Sequence, residues 1–282
     1  MTPLGESDVA ANLVLTLIGV GVRVRTNDAD LAARLAICYG ASLGNAEEAK
    51  DGLDAELERS GERWRVRVEG RAETEASDPV AALRTFNHEL MHGVMLGARE
   101  LYFVHAAVVE IAGRGVVLPG LSQAGKSTLA LALLERGARY LSDELLAYDP
   151  VHERALGFPR ALKIRDECVG YFPDLAADFV GHGEGRFLPF RAHPTALSAS
   201  TRIAAIVLPR WSGIGCTTEL TPLSAGEALL ALASSSLNFG AHRTRSLDCL
   251  TSLVRTARAW RLLWSDPHDS AARIEEALRA VP

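Results

Sequence analysis

The segment GLSQAGKS, residues 120–127, fits the pattern GxxxxGK[ST], a loop whose backbone cradles phosphate groups. Backbone N–H groups from Ser122 through Gln123, Ala124 and Gly125 to Ser127 can converge on an anion there. Lys126 has the reach to hold β- and γ-oxygens, and the Ser127 hydroxyl is a ligand type suited to Mg2+. With Gly120 opening the loop and Thr128 following it, the stretch predicts a nucleoside triphosphate with Mg2+ as its ligand, which the kinase reading below takes as ATP.

Two carboxylates follow closely. Asp143 and Glu144 come 17 and 18 residues after Lys126, at the end of the strand expected after the loop's own helix. If that strand neighbours the loop strand, both acids stand beside the γ-phosphate. One can direct the metal and the other can take a proton from an incoming hydroxyl. The pair read by itself is also an ordinary turn or helix cap. His105, 21 residues before Lys126, falls on the adjoining predicted strand and can reach the same sheet edge, although a lone histidine on an apolar strand is commonly a satisfied core residue. Downstream, Arg160, Lys163, Arg165, Arg191 and Arg210 are candidates for neutralising transition-state charge or gripping an acidic substrate. Lys163 and Arg165 stand out because ALKIR alternates like a strand, which sends both charges the same way.

A second motif competes. HELMH, residues 88–92, matches the zinc-protease pattern HExxH, and His88 and His92 share a helix face. That face lies away from the apolar stripe Val80, Leu83, Leu90, Val94. Met95 and Ala98 occupy the positions where the extended motif has glycine and histidine, so zinc is the weaker reading.

The elements that must position these groups read as follows. NLVLTLIGVGVRVRT (residues 12–26) predicts one or two strands, DADLAARLAICYG a helix capped at Asp28 or Asp30, and WRVRVEGRAETE a half-exposed hairpin strand. Asp78 followed by Pro79 starts a helix to about Ala98. Strands LYFVHAAVVEI and GVVLPG lead into the loop, a helix covers residues 126–136, and ARYLS is a short strand. HGEGRFLPFRAHPTALSAS lacks periodicity and predicts a surface loop or lid. IAAIVLP and AWRLLWSD are expected strands, and SAGEALLALASSSL and DSAARIEEALRA helices. The division implied is a small α+β unit over residues 1–98 and a nucleotide-binding α/β domain over 99–282.

Composition agrees with a folded protein and excludes some partners. The chain has 282 residues, 48% hydrophobic and 23% charged, within the ordinary globular range. A formal net charge of −5 supplies no global basic field for nucleic acid. The four cysteines lie far apart without a CxxC pair, predicting reduced thiols. The apolar stretch Leu13–Val22 meets Arg23 short of a membrane span. A cytoplasmic location with no membrane partner is the expectation.

From His105 to Glu144 the chain resembles the core of the HPr kinase/phosphorylase family and, more distantly, the phosphoenolpyruvate carboxykinases that share that nucleotide-binding core. About 40 residues agree in order and spacing without a gap. The resemblance implies an α/β fold, α+β overall, with a P-loop kinase core of that type. It implies that Asp143 activates the acceptor hydroxyl with His105 as its partner, that Lys126 binds the γ-phosphate, and that Ser127 and Glu144 hold Mg2+. The family has Asp-Asp where this chain has Asp143-Glu144, and Ser-Glu where it has Ser127-Thr128. GFPRALKIRDE stands where the family carries a glycine- and isoleucine-rich signature. The chain looks like the HPr kinase-like proteins found beside peptide-modification genes, some of which phosphorylate a serine of a ribosomally made peptide such as a lasso peptide. The resemblance thus implies a kinase for a serine hydroxyl of a peptide or small protein. The resembled kinases form hexamers, which puts a homo-oligomer among the implied partners. A nucleotide-hydrolysing switch and a small-molecule kinase are the alternatives.

Overall fold

The computed structural model describes residues 10–45, 52–181, 185–190, 197–242 and 244–281. Arg191 and parts of the expected lid segment lie outside the described residues. The first layer is a five-stranded sheet in sequential order: β1 (Ala11–Leu17), β2 (Val20–Thr26), β3 (Leu53–Ser60), β4 (Arg63–Val68) and β5 (Thr74–Ala76). Its hairpins are antiparallel except β2–β3, which run parallel across the helix α1 (Ala29–Tyr39). Asp28 caps α1 by accepting from the N–H groups of Asp30 and Leu31, and its other oxygen accepts from the Trp64 indole at 3.3 Å. Helix α2 (Pro79–Gly97) starts as its Asp-Pro pair predicts, with Asp78 accepting from Ala81 N–H at 2.8 Å. It lies on this sheet, and a Cβ on Gly93 would stand 2.8 Å from both Leu53 and Val68. The missing side chain is what lets the helix approach.

The second sheet has nine strands. In chain order it contains β6 (Tyr102–Val104), β7 (Ala106–Ile111), β8 (Arg114–Pro119), then after helix α3 (Lys126–Glu135) β9 (Arg139–Ser142), β10 (Leu146–Asp149) and β11 (Arg154–Leu156). A small separate sheet follows, β12 (Leu162–Ile164), β13 (Val180–Gly181) and β14 (Arg186–Leu188). The large sheet resumes with β15 (Ser200–Trp211), β16 (Glu219–Pro222) and β17 (Arg258–Trp264). Helices α4 (Ala225–Ser234), α5 (Phe239–His242), α6 (Thr244–Thr256) and α7 (Pro267–Arg279) complete the chain. The architecture is a mixed α/β one, as the alternation of strands and helices predicts.

Three details differ from the sequence reading. LYFVHAAVVEI is two strands, because His105 donates its N–H to Ser235 O at 2.8 Å and leaves the ladder. The strand carrying the acids does not neighbour the loop strand: β7 runs antiparallel between β8 and β9. The expected lid is partly core, since Phe187, Leu188 and Phe190 are buried and the Phe190 ring stacks on Tyr140 with centroids 4.4 Å apart. A short apolar run among glycines and prolines hides such burial, because it is too brief to show a period.

The layers share a core. Phe103, Leu145, Ala147, Phe158, Ala161 and Phe187 pack into the same apolar cluster as Leu31, Leu35, Phe86 and Leu90. Among the described residues, no helix is long and apolar enough to cross a membrane. Removing the Asp78 cap by Asp78→Ala is expected to lower stability, read as a drop in the urea midpoint at constant m-value.

Candidate active site

One edge of the large sheet gathers the chemistry. Ala106 at the start of β7 faces Pro119 at the end of β8, and Val108 faces Ser142 at the end of β9. An antiparallel strand between two parallel ones brings its own beginning to their ends. His105, the loop after Pro119 and the acids after Ser142 therefore meet at one edge, by a route different from direct strand pairing.

The loop is shaped by its backbone and by one indole. Gln123 and Gly125 adopt left-handed conformations, with φ of 74° and 91°. Helix α3 then begins with Gly125 as its cap and no side-chain acceptor on its first N–H groups, so those amides are available to an anion. The α3 N-terminus is backed by Trp264, whose indole N–H donates to Ala124 O at 3.1 Å. A Cβ on Gly125 would stand 1.9 Å from Cζ2 of Trp264. Trp211 meets the same indole edge-on, with centroids 4.8 Å apart. Lys126 is buried, and its ammonium donates to the carbonyls of Gly120 and Leu121, both at 2.9 Å. Burial lowers its pKa, opposed by Glu144 and Asp143.

Behind the loop, the Ser142 hydroxyl accepts from the N–H groups of Glu144 at 3.2 Å and Leu145 at 2.9 Å. This serine turn bends the chain so that the two acids emerge side by side. Asp143 is only 4% exposed. Its Oδ1 accepts from the Tyr140 hydroxyl at 2.8 Å and its Oδ2 from Lys163 N–H at 3.1 Å. Burial pushes its carboxyl above the usual range against the pull of Arg160, with Glu144 adding to the rise. Glu144 goes the other way. Burial works to raise it, but Arg160, His105 and Lys126 together hold it below the usual range. Arg160 Nη2 donates to Glu144 Oε2 at 2.7 Å, and His105 Nε2 lies 3.9 Å from Oε1. Burial and the Lys126 charge hold the His105 imidazole below its ordinary pKa, against the pull of Glu144 and Asp143.

Two adjacent carboxyls thus have different characters: a desolvated acid with a high proton affinity and an ionised one beside cations. Such divergence is what separates acid–base work from electrostatic work. The donors also suit Mg2+. The ion takes hard oxygen ligands, keeps several waters, and needs only one or two carboxylates together with phosphate oxygens. Ser127 and ionised Glu144 are of that kind.

The downstream cations divide. Arg160 is buried beside Glu144, and its charge acts on the Tyr39 hydroxyl, which donates to Asn87 at 2.8 Å. Lys163 lies on β12, its ammonium 5.7 Å from the Phe187 ring centre. Arg165 does not accompany it: the residue stands beyond the strand, exposed, and pairs with Glu167 at 3.1 Å. Arg210 is exposed near the end of β15, which runs parallel to β8, and so sits at the loop's edge of the sheet. Within HELMH, Glu89 turns from the histidines to pair with Arg71 at 2.7 Å, while the His88 and His92 rings touch at 4.5 Å. Among the described residues, no three His, Cys, Asp or Glu side chains are grouped to hold a metal ion. Sequence reasoning passed over Tyr140, Ser142 and Trp264. Tyr140 and Ser142 had a signal in the local string YLSDE, where tyrosine precedes the acid by three and serine by one.

No protein-family model matches this chain. Over 69 residues it is 45% identical to the HPr kinase/phosphorylase of Lactobacillus delbrueckii subsp. bulgaricus, covering 24% of this chain and 22% of that protein. Part of the chain is homologous to HPr kinase/phosphorylases. The Lactobacillus acidophilus protein of that name is 49% identical over 69 residues, and that of Lachnoclostridium phytofermentans 30% over 77, each match covering 21% of the relative. The chain spans about a fifth of the length of the curated relatives it matches. Among solved structures, the HPr(Ser) kinase/phosphatase from Coxiella burnetii aligns with a TM-score of 0.33 and 14% identity, over 63% of this chain and 93% of that one.

Gly125→Ala is expected to abolish nucleotide binding, because the new Cβ falls on the Trp264 ring and the backbone needs positive φ. Trp264→Phe is expected to keep the fold but weaken binding of a fluorescent ATP analogue in direct titration. Asp143→Asn removes a carboxylate that burial disfavours. The folded-state pKa is raised, so ionised Asp143 destabilises the fold above the unfolded pKa. The variant should therefore melt higher than wild type at pH 7 by calorimetry, by about 2–4 °C for each kcal/mol released.

Proposed function

We propose that this chain is an ATP- and Mg2+-dependent kinase that transfers the γ-phosphoryl group to a hydroxyl, a serine of a peptide or small protein. The observation that carries this reading is the buried Asp143, raised in pKa, at the same sheet edge as the phosphate loop and Lys126. A carboxylate with elevated proton affinity is suited to accept a proton at the moment a hydroxyl attacks. The Tyr140 hydroxyl and the Lys163 N–H hold it in place while leaving lone pairs for the acceptor.

In this reading the loop amides and Lys126 bind the phosphates, Lys126 exchanging its two loop carbonyls for phosphate oxygens. Ser127 and Glu144 hold Mg2+, which supplies charge neutralisation on the phosphates. The acceptor O–H passes its proton to Asp143 as its oxygen bonds to the γ-phosphorus. The bond from that phosphorus to the β-bridging oxygen breaks, and ADP departs. His105 and Arg160 orient Glu144 from opposite sides. The relatives bear a name that speaks of a kinase and phosphorylase of HPr, which supports protein as the acceptor class. The retained loop and acids support the forward transfer. The chain's own stretch GFPRALKIRDE, which supplies Arg160 and Lys163, supports an acceptor of its own rather than HPr.

Intact-mass analysis of candidate peptides incubated with enzyme, ATP and Mg2+ tests the reading. Asp143→Asn is expected to lower transfer by about 10²- to 10⁴-fold while retaining nucleotide affinity, and Lys126→Ala to lose affinity as well. Near-wild-type transfer by Asp143→Asn would sink the assignment. ADP release without any phosphorylated product would point to a hydrolytic switch instead. The pH profile follows from the same acid. Because its pKa is raised, kcat/KM should fall as pH drops through a midpoint above the ordinary 3.8 of aspartate, and that acid limb should vanish in the residual activity of Asp143→Asn.

A further inference from the structure

The two flanks of the phosphate loop differ. In the large sheet β8, which leads into the loop, has β7 and then β9 on one side and β15 on the other, with β17 beyond β15. The acids arrive from β9. On the opposite flank the strand ends carry indoles, because Trp211 closes β15 and Trp264 closes β17, the two paired in register. Ile206 faces Val117 in the parallel pair of β15 and β8. Continuing that register puts Leu208 level with Pro119, so Trp211 projects three residues further, about 10 Å past the end of the loop strand. That is the height of the loop itself, where Trp264 meets the Gly125 position.

Three exposed apolar side chains stand at this edge. Trp211 is 39% exposed, Ile214 in the turn after it 88%, and Leu121 on the loop 78%. The edge-on contact with Trp264 covers at most one face of the Trp211 ring. Trp264 is buried and committed to bracing the loop; Trp211 keeps ring surface open to solvent. The turn beyond it is fastened to the end of β17. The Ser212 N–H and hydroxyl both donate to the Trp264 carbonyl, at 2.9 and 2.8 Å. The Cys216 thiol donates to Ser212 O at 3.1 Å, and the Ser265 hydroxyl donates to the Cys216 carbonyl. Single exposed apolar residues are ordinary, whereas a group of them beside a ligand loop marks a binding surface.

We infer that Trp211 and Ile214 form the base subsite of the nucleotide, with the purine ring stacked on the Trp211 indole and Ile214 as its apolar flank. The inference rests on the kinase reading above and deepens it at the other end of the ligand. Covalent attachment fixes the occupant. A nucleotide held by the loop amides and Lys126, with its terminal phosphoryl toward Asp143 and Glu144, has its nucleoside on the flank away from the acids, which is the flank of β15. A purine presents a flat π-face, and stacking on an aromatic side chain uses that face without any need to read the base edges. The indole pair would then join the two ends of the site, Trp211 receiving the base and Trp264 bracing the loop.

The test compares ATP with inorganic tripolyphosphate, which offers the loop three phosphates and no base. Isothermal titration calorimetry of the full chain with Mg2+ gives both dissociation constants. Wild type is expected to bind ATP at least about tenfold more tightly than tripolyphosphate. Trp211→Ala is expected to cut that advantage about fivefold or more while tripolyphosphate binds as before, and Trp211→Phe to restore most of it. Ile214→Ser, at a side chain too exposed for its loss to unfold the protein, is expected to move the ratio in the same direction, and it decides the matter where Trp211→Ala does not fold. A ratio unchanged in Trp211→Ala, including a loss of both affinities in step, would overturn the base subsite and leave the tryptophan as a support of the loop. Equal binding of the two ligands by wild type would overturn it as well, with the phosphate loop still standing. Binding of neither ligand would bring down the nucleotide reading and this inference with it.

Discussion

A guanidinium with nowhere to go but inward organises the site. Arg160 is buried between the two layers, and a buried cation is stable only where acceptors surround it. Glu144 answers with a 2.7 Å bond, and the Tyr39 hydroxyl of α1 feels the same charge. Tyr39 in turn is tied to Asn87 of α2. Through one residue the first layer, the acid pair and the segment leading to β12 are held in register. The ionised state of Glu144 follows from that same cation, and the contrast with Asp143 depends on it. Had the two acids the same surroundings, their repulsion would leave no clear division between the two roles proposed for them.

The phosphate loop relies on a second, apolar support. Its glycine Gly125 is needed for conformation and equally for space, because Trp264 fills the volume a side chain would take. The indole also bonds to the Ala124 carbonyl, so the end of the chain's last strand fixes the start of α3. The first helical amides are thereby aimed before any anion arrives. Preorganisation of this kind matters for phosphoryl transfer, where positioning and electrostatics carry most of the rate.

Much of the local structure was legible. The Asp28 and Asp78 caps form as their sequence contexts predict, and the strand–loop–helix around GLSQAGKS has the expected order. These are local rules, satisfied by residues within a few positions of one another. Reading failed where partners are distant. The placement of β7 between β8 and β9 depends on pairing across the sheet, which no local pattern encodes. The burial of Phe187 and Phe190 was obscured by surrounding glycines and prolines. Arg165 looked equivalent to Lys163 by alternation, but the strand ends at Ile164 and solvent claims the arginine.

The amino-acid string by itself determined the phosphate loop, the nearness of two carboxylates and the helix starts, because each depends on spacing along the chain and on intrinsic conformational preference. The tertiary structure alone decided which carboxylate gains proton affinity and which is held down by cations, that Trp264 braces Gly125, and that α2 faces the acids across a cleft. Proton affinity and steric fit are set by what surrounds a group in space, and residues 39, 87, 160 and 264 are brought to the site only by folding.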